Sequence, residues 1–203
     1  MATVKNIEQK VILVGDYGCG KSSLFRRFMC DTFINSTDRK ATLGLDHYSK
    51  TFQVNGRNIN LLLFDTGGME RIASVTSSYY KFAEAAILVF AMDNLSSFHS
   101  LSQHLVDVTM FAENARIFLC GNRSDLPPEV TDEDIQTFCE QCHGLINGIF
   151  KTSCKTNSNV HEMFNSIAQS LSESNRSRIE LQAFDTHGFK VAPPEENIDN
   201  CSC

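Results

Sequence analysis

Gly15-Asp16-Tyr17-Gly18-Cys19-Gly20-Lys21-Ser22 fits the pattern G-x-x-x-x-G-K-[ST] and follows directly on the apolar run Val11-Ile12-Leu13-Val14. A strand that breaks into a glycine-containing loop and reopens as a helix aims backbone N–H groups and a helix N-terminus at one point, which suits a phosphate chain. On this reading Gly15, Tyr17, Gly18, Cys19, Gly20 and Ser23 surround the phosphates, Lys21 reaches the outer ones, and the Ser22 hydroxyl helps to hold Mg²⁺. The plainer alternative is a strand-turn-helix with two turn glycines; the complete eight-residue pattern in this context weighs against it.

Outward from this stretch, residues 7–14 read as a strand and 21–30 as an amphipathic helix with Leu24, Phe25 and Phe28 toward the core. The chain is polar from Asp31 to Ala41. Thr51-Phe52-Gln53-Val54 alternates, and Asn55-Gly56 signals a hairpin before the apolar run 59–64. Residues 69–82 form a hydroxyl-rich loop-helix region. Ala85 to Ala91 is apolar throughout, as a strand buried on both faces requires. A helix over 96–111, a strand over 117–121, a helix over 131–143, a short strand at Phe150-Lys151-Thr152 and a closing helix over 160–181 complete the pattern. Alternating strands and helices joined by right-handed crossovers predict an α/β fold, a doubly wound, mainly parallel six-stranded sheet with one antiparallel edge hairpin. One domain spans 1–183, and 184–203 reads as a disordered tail, with Pro193-Pro194, Glu195-Glu196 and little to bury.

The 203 residues are 42% hydrophobic and carry a net charge of −6. No basic block stands out, so a nucleic-acid groove is not expected. Residues 1–6 hold no apolar signal region, and no apolar stretch approaches the roughly 18 residues of a membrane span. The expectation is a soluble, cytosolic chain whose eight cysteines are thiols. Cys139-x-x-Cys142-His143 has the form of a haem attachment site but lies at the end of the 131–143 helix, where thiols and an end-of-helix His are the default reading.

Two further constellations fall at strand ends. Asp65-Thr66-Gly67-Gly68 follows the run 59–64; a carboxylate there can reach Mg²⁺ through a water, and the Gly68 N–H can meet a terminal phosphate at close approach. Asn122-Arg123-Ser124-Asp125 follows the strand 117–121. The Asp125 carboxylate can accept two hydrogens from the edge of guanine and reject adenine, which would leave a buried polar group unpaired, and Asn122 would tie this loop to Gly15–Ser22. Ser153-Cys154-Lys155 closes the base pocket with backbone N–H groups and the Lys155 stem. A plain turn explains each tetrapeptide alone; their order and spacing together favour a guanine nucleotide, GTP or GDP, with Mg²⁺.

With these residues in view, the chain resembles a small GTPase of the Ras superfamily and, within it, the Rab family, over residues 7 to about 182 and the last three residues. The family's N-K-x-D and S-A-K motifs appear as Asn122 to Asp125 and Ser153 to Lys155. Thr42-Leu43-Gly44-Leu45-Asp46 resembles T-I-G-x-D, Asp65 to Arg71 resembles D-T-A-G-Q-E-R, and Ser77-Ser78-Tyr79-Tyr80 is Rab-like. The resemblance implies that Thr42 coordinates Mg²⁺ beside Ser22 and Asp65, and that Phe33 stacks on the guanine edge. It also implies an exchange factor, effectors that read the switch regions, and Rab escort and GDP-dissociation-inhibitor proteins. Cys201-Ser202-Cys203 matches a double-geranylgeranylation signature. Two prenyl groups would supply the second anchoring signal that an acidic tail cannot, placing the protein on the cytoplasmic face of an intracellular membrane with a cytosolic pool. The resemblance makes the chain a membrane-trafficking switch.

The chain departs from the family in ways that bear on chemistry. Met69 stands where the family has the glutamine that orients the attacking water, and a thioether neither donates to that water nor holds it in line. Tyr17 occupies a position usually small, where a ring crowds the γ-phosphate and an incoming arginine finger. The expectation is slow hydrolysis of GTP; the alternative is an effector-recruiting module that hardly hydrolyses it. Gly67 replaces alanine, and Arg123 replaces lysine with different packing. The aromatic triad offered to effectors aligns as His47, Phe64 and Tyr79, in a chain without tryptophan; surface drift and a different effector set explain that equally well.

Overall fold

The computed structural model describes residues 8–34, 46–65 and 76–173. Its strands are β1 (Glu8–Val14), β2 (Asp46–Val54), β3 (Arg57–Asp65), β4 (Ala85–Ala91), β5 (Arg116–Asn122) and β6 (Ile146–Lys151). Its helices are α1 (Lys21–Cys30), α2 (Thr76–Tyr80), α3 (Leu95–His99), α4 (Leu101–Phe111), α5 (Asp132–Gln141) and α6 (Val160–Ser172). The sheet order is β2-β3-β1-β4-β5-β6. Only β2 and β3 pair antiparallel; β1 runs parallel to both β3 and β4, and β4, β5 and β6 continue in parallel. This is the mainly parallel sheet with an edge hairpin that the sequence predicts. No helix among the described residues is long and apolar enough to cross a membrane.

The hairpin turns at Asn55 and Gly56, with φ of 49° and 74°. Two consecutive positive φ values match the right-handed twist of the flanking strands, which is why Asn-Gly is the residue pair found there.

Each central strand feeds two cores, because successive side chains point to opposite faces. Val11 and Leu13 join Ile87 and Val89 beneath α1 and α6, with Leu24, Phe25, Phe28, Phe164 and Ile167. Ile12 and Val14 join Leu88 and Phe90 on the other face, with Tyr80, Phe98, Leu101 and Ile135 from the helices there. All seven residues of β4 are buried, as its unbroken apolar run requires.

The structure changes two boundaries. The single helix expected over 96–111 is two: α3 starts earlier, capped by Asn94 Oδ1 accepting from Ser97 N at 3.0 Å, and it meets α4 at Ser100. There the Ser100 hydroxyl donates back to the Ser96 carbonyl at 3.1 Å, a bond that competes with the helical ladder and bends it. The final strand, expected at 150–152, begins at Ile146 and ends at Lys151. The pairing with β5 shifts register near Ile117, whose N–H is taken by Asn147 Oδ1 at 2.8 Å; a side chain replaces a ladder carbonyl at a pair of residues, Asn147-Gly148, that carries no strand signal. The α5 start is a capping box between Thr131 and Asp134, which holds the Asp134 carboxyl below its usual range. The part of the expected closing helix beyond residue 173, and the expected tail, lie outside the described residues.

Candidate functional site

At the carboxyl end of β1 the backbone must leave a central strand and fold beneath its own helix. Gly15, at φ 146°, lies so close to the Val89 carbonyl that a Cβ would collide with it, and Gly20, at φ 107°, approaches the Asn122 amide as closely. The loop is therefore a cradle that only glycine completes at these two points. Lys21, buried at the first position of α1, folds back over it: Nζ donates to the Gly15 carbonyl at 2.6 Å and the Asp16 carbonyl at 2.9 Å. That places a cation and the opening turn of α1 on one side of the concavity, with Ser22 and Ser23 following in the same turn. Tyr17, 61% exposed, stands on the rim.

Asp65 ends β3 beside β1 and is only 1% exposed. The β2–β3 register sets it opposite Asp46. The Asp65 carboxylate and the Ser22 hydroxyl are oxygen donors, the kind a hard divalent ion such as Mg²⁺ takes. The residues present fit the ion, and they fit a phosphate chain in the cradle.

The second half of the site follows β5 and β6. Asn122, buried, donates from Nδ2 to the Cys19 carbonyl at 3.0 Å and accepts from Cys154 N at 3.4 Å, so one amide joins the phosphate loop to the 153–155 loop. Arg123, at φ 63°, is held by its charge: Nη1 donates to both Asp93 carboxylate oxygens at 3.2 and 3.1 Å, and Nη2 donates to the Gly18 carbonyl. The different packing expected of an arginine here is thus a guanidinium that spans two partners, Nη1 on Asp93 and Nη2 on Gly18, which a single ammonium nitrogen does not reproduce with the same geometry. Asp125 accepts from Ser153 Oγ at 2.6 Å and lies 4.0 Å from the exposed Lys155 ammonium. Ser153 Oγ in turn accepts from Thr156 N at 3.1 Å, and Ser124 N donates to the Thr152 carbonyl at 3.0 Å. The arrangement orients the Asp125 carboxylate through Ser153.

Sequence-predicted residues from four strand ends, those of β1, β3, β5 and β6, thus share one edge of the sheet: Gly15 to Ser23, Asp65, Asn122 to Asp125 and Ser153 to Lys155. Phe33 is half-buried against the core cluster that also holds Cys19 and Cys154. Thr42, Gly68, Met69, Cys201 and Cys203 lie outside the described residues. Of the aligned aromatic triad, His47 and Phe64 stack at 5.4 Å. Tyr79 does not join them at the surface: it is 5% exposed, and its hydroxyl accepts from Leu13 N and donates toward the Leu13 and Phe64 carbonyls. Burial outweighs presentation because the hydroxyl meets the backbone where β1 and β3 end. Cys139 and Cys142 sit on and just after α5, where burial raises both thiols' pKa. Three contributors escaped the sequence reading: Arg27, Asp93 and His104. Only Arg27 left a signal, a basic residue in the last turn of α1.

A family model described as the Ras family matches residues 10–173. The Ras-related protein RABF2b of Arabidopsis thaliana is 38% identical over 172 residues, 82% of each chain. The Ras-related protein Rab-1D of Dictyostelium discoideum is 36% identical over 80% of this chain and 78% of its own. The Ras-related protein Rab-12 of Rattus norvegicus is 31% identical over 95% of this chain and 83% of its own.

Proposed function

The chain belongs to the Ras family of small GTPases, as a divergent member of its Rab branch, and from that premise we propose that it is a GTP-dependent switch of membrane trafficking that turns over GTP slowly. The observation that carries the reading is the Asn122 amide, whose two hydrogen bonds join the loop that Lys21 folds over to the 153–155 loop, where Ser153 holds Asp125. Lys21 and the loop N–H groups hold the phosphates, Ser22, Asp65 and Thr42 take Mg²⁺, and Asp125 reads guanine while Phe33 covers the ring edge. Thr42 senses the γ-phosphate and the Gly68 N–H meets it, so that triphosphate orders the surface read by effectors. Bound Mg²⁺ supplies charge neutralisation at the phosphates.

Slow turnover follows from two side chains. Met69 cannot position water, and the Tyr17 ring on the loop rim obstructs an arginine arriving from a partner. Prenyl groups on Cys201 and Cys203 anchor the protein, and exchange, escort and extraction proteins handle its cycle. The exposure of Tyr17 also favours a second reading, in which the protein holds GTP, recruits effectors and hardly hydrolyses it.

Mass analysis of the nucleotide released from purified protein tests the guanine assignment; adenine nucleotide, or none, overturns it. Single-turnover hydrolysis of GTP then separates the two readings. Slow but measurable turnover that rises in Met69→Gln supports the switch, and no turnover until that substitution is made supports the module. Turnover that Met69→Gln leaves unchanged overturns the role given to Met69.

A further inference from the structure

We propose that Arg27 is a positioning residue that sets base specificity: from the far end of α1 it holds the loop 153–155, and through it Asp125, where guanine is read. The inference rests on the guanine reading above.

Arg27 lies in the helix that opens from the phosphate loop, and its side chain is only 12% exposed. Nε donates to the Cys154 carbonyl at 2.7 Å and Nη2 to the Lys155 carbonyl at 3.1 Å. Nη1 donates to the Asp31 carbonyl at 2.7 Å and to Asp31 Oδ1 at 3.3 Å. Asp31, left-handed at φ 53°, ends the helix with its N–H on the Arg27 carbonyl. Asp31 Oδ1 also accepts from Asn157 Nδ2 at 2.8 Å. The end of α1 therefore grips the base loop twice, at 154–155 and at 157.

The other side of that loop carries the reading carboxylate. Ser153 bonds Asp125 and pairs with Ser158 through two backbone bonds of 3.0 and 3.1 Å, while Cys154 N reaches Asn122. A displacement of residues 153–155 is thus a displacement of Asp125's partner. The planar guanidinium reaches several carbonyls at once, which a lysine ammonium on its flexible stem cannot do with the same geometry. If Arg27 served stability alone, its loss would lower the unfolding temperature and leave base preference intact; a positioning role alters the preference.

The test uses the full chain with Mg²⁺ and measures dissociation of GDP and of inosine diphosphate, which lacks the exocyclic amine, with ADP as a competitor and thermal unfolding alongside. Wild type is expected to hold GDP more tightly than inosine diphosphate. In Arg27→Lys, GDP release is expected to accelerate about tenfold, as the loss of charged hydrogen bonds implies, and inosine diphosphate release less, so that the ratio of the two falls. An unchanged ratio overturns the proposal whatever happens to unfolding. If Arg27→Lys fails to fold, Asn157→Ala removes only the second grip: a smaller fall in the same ratio supports the proposal, and a constant ratio overturns it. Wild type with no preference for GDP over ADP overturns the guanine reading itself, and this proposal with it.

Discussion

His104 of α4 places its Nε2 2.9 Å from Asp16 Oδ1, so the phosphate loop is fastened by a helix distant from it in sequence. The same Asp16 offers its backbone carbonyl to Lys21. His104→Phe removes the bond and keeps the ring, whereas His104→Gln retains a donor at similar reach. A net hydrogen bond contributes about 1 kcal/mol, so His104→Phe is expected to release nucleotide about fivefold faster and His104→Gln to restore most of the difference. Dissociation of a fluorescent GDP analogue measures both.

Ser153→Ala removes the hydroxyl that orients Asp125 and supports Thr156 N. Hydrogen bonds to charged groups contribute about 1.5–3 kcal/mol, which corresponds to a loss of GDP affinity of roughly tenfold or more. Calorimetric titration of nucleotide-free protein measures this, and an affinity within twofold of wild type would contradict it.

Phe28 and Phe164 pack at a ring separation of 4.6 Å, both buried, and bring α1 against α6. Phe164→Ala leaves a cavity beneath the helix that carries Lys21. The expected cost is about 3–5 kcal/mol in denaturant unfolding, with lost nucleotide affinity as a secondary effect.

Lys10 donates to the Tyr79 and Lys81 carbonyls and lies 4.9 Å from the Phe64 ring centroid. Burial lowers its pKa from the ordinary 10.5 to about 8. Between about pH 8 and 10.5 the unfolded chain binds the proton that the folded chain has released, so Lys10 makes stability rise with pH across that window and adds a constant penalty below it. Urea midpoints of wild type and Lys10→Met are expected to differ by an amount that changes between pH 8 and 10.5 and stays level from pH 6 to 7.5.

Much of the fold is legible because burial and alternation coincide in this chain. The seven apolar residues of β4, the Asn55-Gly56 turn and the Gly15–Ser22 loop each carry their conformation in their own residue types. What escapes depends on partners distant in sequence. Ser100 bends a helix because its hydroxyl adds a second donor to the Ser96 carbonyl, and β6 extends through Asn147 because an amide stands in for a carbonyl. Of the site, residues that touch a ligand are set by motif chemistry, whereas Asp93, His104 and Arg27 act by bracing other residues. A bracing role exists only once β4, α4 and α1 have been brought alongside the loops, and no local pattern announces it.

The strand order also acts as a ruler. The phosphate loop leaves β1 and the Asp125 loop leaves β5, with β4 alone between them; two strand intervals amount to about 10 Å. The spacing of the hydrogen-bonded ladder, which no side chain can stretch, therefore fixes the separation of the two loops, and on the proposed reading it is the backbone that sets the distance from base to phosphates.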